Sequence, residues 1–233
     1  MARPAERPGR GTFITIEGPE GAGKTTQAAR LEDYLRTIGI DVMRTREPGG
    51  TPLGERLRDV LLATGRTAIP IEPLADALLF SAARRQLVVD VITPSLNAGT
   101  SVICTRYADS TIAYQGHGAG VDVEQLRRLE ELATGGLRPD VSILLDLPPE
   151  VGLRRKAPDD RTRFELGFDL DFHRRVRDGF LEIAASDADR FVVLDAAASA
   201  ERVWEGLRVA VADRLGVRAP GGEPNRPVER IIR

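Results

Sequence analysis

An apolar strand pattern that runs straight into a glycine-rich loop constrains this chain more than any other feature: Phe13-Ile14-Thr15-Ile16-Glu17-Gly18-Pro19-Glu20-Gly21-Ala22-Gly23-Lys24-Thr25-Thr26. From Gly18 the spacing is G-x-x-x-x-G-K-T, a phosphate-binding loop. Its glycines let the backbone turn tightly around an anion with N–H groups pointing inward. The helix that begins there brings its positive dipole end to the same place. Residues Gly18 to Thr26 are thus the expected triphosphate cradle, with Lys24 reaching the β- and γ-phosphates and the Thr25 hydroxyl ligating Mg²⁺.

Composition adds weight to that loop. The chain has only two lysines, Lys24 and Lys156, among 33 basic residues. Where arginine is otherwise chosen for charge, a compact ammonium stands where it must fit between phosphate oxygens. The formal net charge of −2 over 233 residues argues against a polyanion such as nucleic acid as the main partner, and suits small phosphorylated ligands. The single cysteine, Cys104, excludes an internal disulfide framework and fits a reducing compartment. No apolar run approaches a membrane span, and the start of the chain lacks the apolar core of a leader. These features predict a soluble, cytoplasmic protein.

The pattern between residues 12 and 216 alternates strand and helix. Strands are predicted at Thr12 to Glu17, Asp41 to Thr45, Ser101 to Thr105, Val141 to Asp146 and Phe191 to Asp195. The last two are apolar on both faces, as strands of a covered parallel sheet are. Helices are predicted at Lys24 to Thr37, around Leu53 to Leu61, from Leu74 to about Val91, at Ala108 to Gln115, after Asp122, and near the end around Val203 to Leu215. The fold class is therefore α/β, a doubly wound five-stranded parallel sheet with helices on both faces and one domain over residues 12–216. Residues 1–11 and 217–233 mix Arg, Pro, Glu and Gly without periodicity and read as disordered arms. Ligands in such a sheet sit at the carboxyl ends of the strands, and two of those ends carry an arginine, Arg46 and Arg106. Together they point to a second anionic group beside the first.

The chain resembles the bacterial thymidylate kinases, within the nucleoside monophosphate kinases, from Thr12 to about Leu215. The stretches that carry the resemblance are Thr45-Arg46-Glu47-Pro48-Gly49-Gly50-Thr51-Pro52-Leu53-Gly54, then Leu78-Leu79-Phe80 with Arg84 four residues on, then Arg106-Tyr107 followed by Asp109-Ser110-Thr111 and Ala113-Tyr114-Gln115-Gly116, and Leu137-x-Pro139-Asp140 leading into Leu144-Leu145-Asp146-Leu147-Pro148. The resemblance implies ATP as donor and dTMP as acceptor. It implies that Phe80 stacks on thymine, that Arg84 hydrogen-bonds its edge, that Arg106, assisted by Arg46, holds the 5′-phosphate, and that Tyr114 lies beside the sugar. Ser110, Thr111 and Gln115 are implied as polar lining. It also implies a homodimer, with the long apolar helix from Leu74 as a candidate interface.

A basic cluster from Arg154 to Glu165 coincides with a mobile lid in the family, and members without an arginine in the phosphate loop carry catalytic arginines there. Gly18 to Thr25 contains none, so Arg154, Arg155, Arg161 and Arg163 are candidates beside Lys24 and Arg106, with Arg161 and Arg163 both alignable to the family's usual position. No general base is required, because the nucleophile is an acceptor phosphate that is largely dianionic at pH 7. Catalysis reduces to holding two polyanions in line and neutralising the charge between them.

Three positions depart from the family pattern. Thr105 stands where an Asp usually precedes the Arg-Tyr pair, which leaves Thr25 and Glu20 to hold the metal and predicts a slower enzyme. Ala83 stands where an acid usually precedes Arg84, so that Arg84 is expected to be less firmly oriented. His117-Gly118-Ala119 lacks a frequent Arg. These changes keep two alternatives in view: a kinase for another nucleoside monophosphate, and a nucleotide-binding protein with weakened catalysis.

Overall fold

The computed structural model describes residues 9–216. The expected terminal arms fall mostly outside them, but Arg10 and Gly11, which the sequence assigns to the first arm, pack onto the domain. Arg10 pairs with Asp140 at 3.0 Å, and the Gly11 N–H donates to the Leu96 carbonyl at 2.8 Å.

Five parallel strands, β1 (Phe13–Glu17), β2 (Val42–Arg46), β3 (Ser101–Thr105), β4 (Val141–Asp146) and β5 (Phe191–Asp195), form one sheet in the order β2-β3-β1-β4-β5. The order reverses at β1, so the loop after it opens into the crevice between β3 and β4. Ile16 lies opposite both Thr105 and Ile143, so β3 ends beside the start of the phosphate loop while β4 runs on past it to Asp146.

Alternation within the strands divides the core. Ile14, Ile16, Ile103, Ile143 and Leu145 face α1 (Lys24–Thr37) and α10 (Ala200–Leu215), packing on Leu31, Leu35, Leu207 and Val211. On the opposite face, Phe13, Val102 and Cys104 meet a long helical rod: α3 (Pro73–Leu87), a π-helical turn (Val88–Ile92) and α4 (Thr93–Asn97). Leu144 and Phe191 meet α9 (Leu170–Ser186) through Phe180 and Ile183. Helix α9 is not among the helices predicted from sequence, although Phe172, Val176 and Phe180 recur every fourth residue, the spacing of one helical face.

The remaining helices are α2 (Pro52–Leu61), α5 (Ala108–Thr111) with a π-helical continuation (Ile112–Gly118), α6 (Val123–Thr134), α7 (Pro149–Arg155) and α8 (Arg163–Gly167). Side-chain caps start many of them: Thr51 for α2, Glu72 for α3, Asp122 for α6, Asp169 for α9 and Ser199 for α10 each accept from a backbone N–H of the first turn. Helix α1 has no such cap. Gly23 precedes it at φ 88°, and its first N–H groups are left for another acceptor.

Candidate active site

A cavity of about 400 Å³ opens at the carboxyl ends of the strands and runs from the uncapped start of α1 to α3, roofed by the segment around α7 and α8. Its floor is the phosphate loop. Lys24 Nζ donates to the carbonyls of Gly18 at 2.8 Å and Pro19 at 2.6 Å, which curls the loop around its own ammonium, while Thr25 and Thr26 are exposed toward the cavity. Burial, and then the neighbouring Arg106, lower the Lys24 pKa to about 7 despite Glu20 and Glu17. Two glycines seat the roof on this floor. A Cβ on Gly21 would lie 2.2 Å from the Gly152 carbonyl oxygen, and one on Gly152 would lie 2.1 Å from that of Glu20, so α7 and the loop touch backbone to backbone. Gly152 escapes sequence reasoning because it looks like any other helical glycine.

Arg106 follows β3 with φ 66°, the only non-glycine residue with positive φ among those described. Four contacts hold that turn: the Arg106 N–H donates to Ile16 O, the Tyr107 N–H to Glu17 Oε1, Ser110 Oγ to Glu17 Oε2, and the Cys104 thiol to Arg106 O. The turn aims the guanidinium back at the phosphate loop. There it pairs with Glu20 at 2.6 Å, donates to the Tyr114 hydroxyl at 3.1 Å and lies over the Tyr114 ring. Tyr114 in turn donates to Glu20 at 2.6 Å. Burial pushes the Glu20 carboxyl up, but Arg106, Lys24 and the Tyr114 hydroxyl outweigh it and hold the pKa at about 2.

Glu20 and Thr25, both expected as metal ligands, line the cavity floor, and Glu20 is also the counter-ion of Arg106 through its Oε2. A hard, small cation needs few protein oxygens when phosphates and water complete its shell, and the exposed Thr25 hydroxyl at the cavity floor fits that role. Among the described residues there is no group of three or more His, Cys, Asp and Glu side chains able to hold a metal by themselves. The Thr105 hydroxyl, across the floor, lies 3.4 Å from the Thr45 carbonyl.

Arg46 and Phe80 line the far end, as do Ser110, Thr111, Tyr114 and Gln115, so the expected acceptor residues converge on one space. Arg46 is half-exposed and pairs with Glu55 of α2 at 3.0 Å. Arg58, which sequence reasoning missed, joins them. Its Nη1 donates to the Pro48 carbonyl at 2.8 Å, and burial together with Arg46 lowers its pKa, the mark of a cation among cations. Its neighbours Leu57, Val60 and Leu61 had marked α2 only as a packing helix, and nothing local separates this arginine from a solvated one.

Arg84 corrects an expectation. It is 1% exposed and firmly held, its Nε donating to Glu47 at 2.7 Å and its Nη1 paired with Glu130. Nη1 also donates to Thr111 Oγ1 at 3.0 Å, and Nη2 to the Tyr107 carbonyl at 3.1 Å. An acid at position 83 is not needed to orient it. Burial raises the Glu47 pKa to about 7 in spite of Arg84.

The lid arginines also differ from expectation. Arg154 and Arg161 are exposed and do not line the cavity, whereas Arg155 and Lys156 do. Adjacent residues on a helix point about 100° apart, so only one of Arg154 and Arg155 can face inward. Arg155 donates to the Ala196 carbonyl at 2.9 Å, and Lys156 pairs with Glu165 at 2.9 Å. Thr162 and Glu165 form a reciprocal capping box that starts α8 and turns Arg163 away, onto Asp76 and the Leu61 carbonyl. Asp76 also accepts from Gln115 at 2.8 Å, so the lid is tied to the acceptor end through one carboxylate.

The chain as a whole is similar to known proteins. The thymidylate kinase family model matches residues 16–206. Thymidylate kinase of Deinococcus radiodurans is 52% identical over 209 residues, 88% of this chain and 98% of that protein. The enzyme of the same name from Thermomicrobium roseum is 50% identical over 212 residues, 89% of this chain and 99% of that one. The crystal structure of thymidylate kinase from Ehrlichia chaffeensis superposes with a TM-score of 0.69 at 36% identity, covering 86% of this chain and 99% of its own. With a phosphate loop, a roofing segment and an arginine-lined acceptor end in one cavity, and with that degree of likeness along nearly the whole domain, the chain belongs to the thymidylate kinase family.

Proposed function

We propose that this protein transfers the γ-phosphoryl group of ATP to the 5′-phosphate of dTMP, giving ADP and dTDP. The observation that carries the reading is the single cavity in which the phosphate loop faces Arg106, Arg46 and Arg58, with Phe80 beyond them. Two phosphorylated molecules fit end to end there, one on the loop and one on the arginines. Lys24 and the N–H groups at the start of α1 hold the donor phosphates. Arg106 and Arg58 hold the acceptor phosphate, whose oxygen is the nucleophile. No side chain has to remove a proton. Phe80 offers its face to a flat base, and the Tyr114 ring, packed edge-on against Phe164, leaves little room beside the sugar.

Mg²⁺ would be held by Thr25 together with phosphate oxygens and water, and would supply charge neutralisation between donor and acceptor. Arg155 and Lys156, already facing the cavity, are better placed than Arg154, Arg161 or Arg163 to meet the charge that develops on the transferring group. The neighbouring apolar surfaces of α2 and α3, with Leu53, Leu74 and Leu78 each more than a third exposed, support a homodimer. No helix among the described residues is long and apolar enough to cross a membrane.

A coupled assay for ADP release, run with ATP, Mg²⁺ and a panel of nucleoside monophosphates, tests the reading. The expected result is a kcat/KM for dTMP well above that for dCMP, dGMP or dAMP. Turnover confined to another monophosphate, or tight ATP binding without turnover, would overturn it.

A further inference from the structure

Glu130 belongs to α6, lies outside the cavity lining and is only 5% exposed. Both of its carboxylate oxygens are engaged by α3. Oε2 pairs with Arg84 Nη1, and Oε1 accepts from Ser81 Oγ at 2.8 Å. Ser81 and Arg84 are three residues apart and share a helix face. On the other side of the guanidinium, Glu47 Oε2 lies 2.7 Å from Nε and 2.6 Å from Nη2. Arg84 is therefore gripped between two carboxylates from different elements.

The four partners of Arg84 are not equivalent. Contacts to carboxylates are about twice as strong as those to neutral acceptors. The contacts that a substrate oxygen could displace are those to Thr111 Oγ1 and the Tyr107 carbonyl, and Thr111 lines the cavity. The carboxylates stay, and they fix the plane in which the remaining N–H groups point. As a stabilising device the cluster is poor. Two acids are buried against one arginine, and the Glu47 Oε1 atom is buried without a partner. Such a cluster makes sense as a means of holding a guanidinium in one orientation.

We propose that Glu130 is a positioning residue for acceptor-base recognition: it holds Arg84 from behind the cavity and supplies, from another helix, the acid that Ala83 does not provide beside Arg84. The inference rests on the reading of this cavity as the dTMP site, and it assigns Glu130 no contact with substrate.

Steady-state kinetics of Glu130→Gln provide the test, with both substrates varied and with dTMP compared against dCMP, which carries an amino group where thymine has its 4-keto oxygen. Gln keeps the shape and an acceptor but removes the charge. The expected result is a rise of about tenfold in KM for dTMP, the scale of a weakened charged contact. The kcat and the KM for ATP stay within about twofold, and the preference for dTMP over dCMP shrinks by a similar factor. Glu130→Asp, which keeps the charge, restores part of that preference. Ser81→Ala loosens Glu130 without altering charge and is expected to move the same two quantities about two- to threefold, which keeps the test open should Glu130→Gln not fold. A folded Glu130→Gln protein with unchanged KM and unchanged preference would overturn the proposal, as would equal losses for both substrates. Failure of the underlying reading looks different, because the wild type would then prefer another monophosphate, and the same comparison would be made with that acceptor.

Discussion

Replacing Arg106 by Gly and by Ala separates what the backbone of this residue costs from what its side chain does. At φ 66°, a residue with a Cβ is less favourable by about 1–2 kcal/mol, which glycine avoids. Glycine loses about 0.4–1 kcal/mol of that advantage through the greater freedom of its unfolded chain. Both variants also lose the Glu20 pair at 2.6 Å. Breaking a buried ion pair costs about 3–5 kcal/mol, and the guanidinium, at 21% side-chain exposure, belongs at the low end of that range. Arg106→Ala is therefore expected about 3 kcal/mol below wild type, and Arg106→Gly about 0.5–1 kcal/mol above Arg106→Ala. Urea unfolding at pH 7, with equal slopes for the three proteins, measures both differences. Acceptor turnover should fall equally in the two variants, because it is the side chain that faces the phosphate. An alanine variant as stable as the glycine variant would refute the claim that Arg106 is held in a strained conformation in order to aim its guanidinium.

Two other perturbations bear on the same floor. Thr105→Asp restores a carboxylate where the Thr105 hydroxyl now lies 3.4 Å from the Thr45 carbonyl; turnover should rise up to about tenfold, or half-saturation with Mg²⁺ should fall, on the scale of one charged hydrogen bond, and a rate and Mg²⁺ dependence no better than wild type would count against a metal-side role for this position. Burial, and then Asp109, push the Glu17 carboxyl from its ordinary 4.5 to about 7. A pKa raised in the folded state gives stability that is complete below about 4.5 and is lost as pH climbs through 7. Glu17→Gln should flatten that decline between pH 5 and 8 in urea midpoints without abolishing it, since Glu47 is raised to the same region; a slope identical to wild type would sink the assignment.

The strands were legible because their signal is local. Ser101 to Thr105, Val141 to Asp146 and Phe191 to Asp195 are bounded as the structure has them; the apolar run of β4 is buried as a covered strand requires, whereas β5, at the sheet edge, leaves Val193 48% exposed despite the same pattern. The phosphate loop was legible for the same reason. What sequence could not show depends on which face of an element meets the cavity. Arg154 and Arg155 are neighbours in sequence, and only the register of α7 on the loop sends one inward. Nothing near Glu20 in sequence announces its pairing with Arg106, which arrives from the end of β3, 86 residues away. Ala83 beside Arg84 predicts a loosely held guanidinium, whereas its carboxylate partners come from 37 and 46 residues away. Helix α9 is legible after all, in the four-residue spacing of Phe172, Val176 and Phe180.

The contact between Gly21 and Gly152 fixes how near the roof can lie to the floor. With no side chain between the two backbones, and with a packed interior that resists compression, α7 and the phosphate loop are already as close as two backbones can come, and a Cβ at either glycine would have to lift one from the other. The same roofing segment reaches the acceptor end, where Arg163 holds Asp76 and Asp76 holds Gln115. The height of the whole cavity, donor end and acceptor end alike, is thus set by two residues whose contribution is to have no side chain.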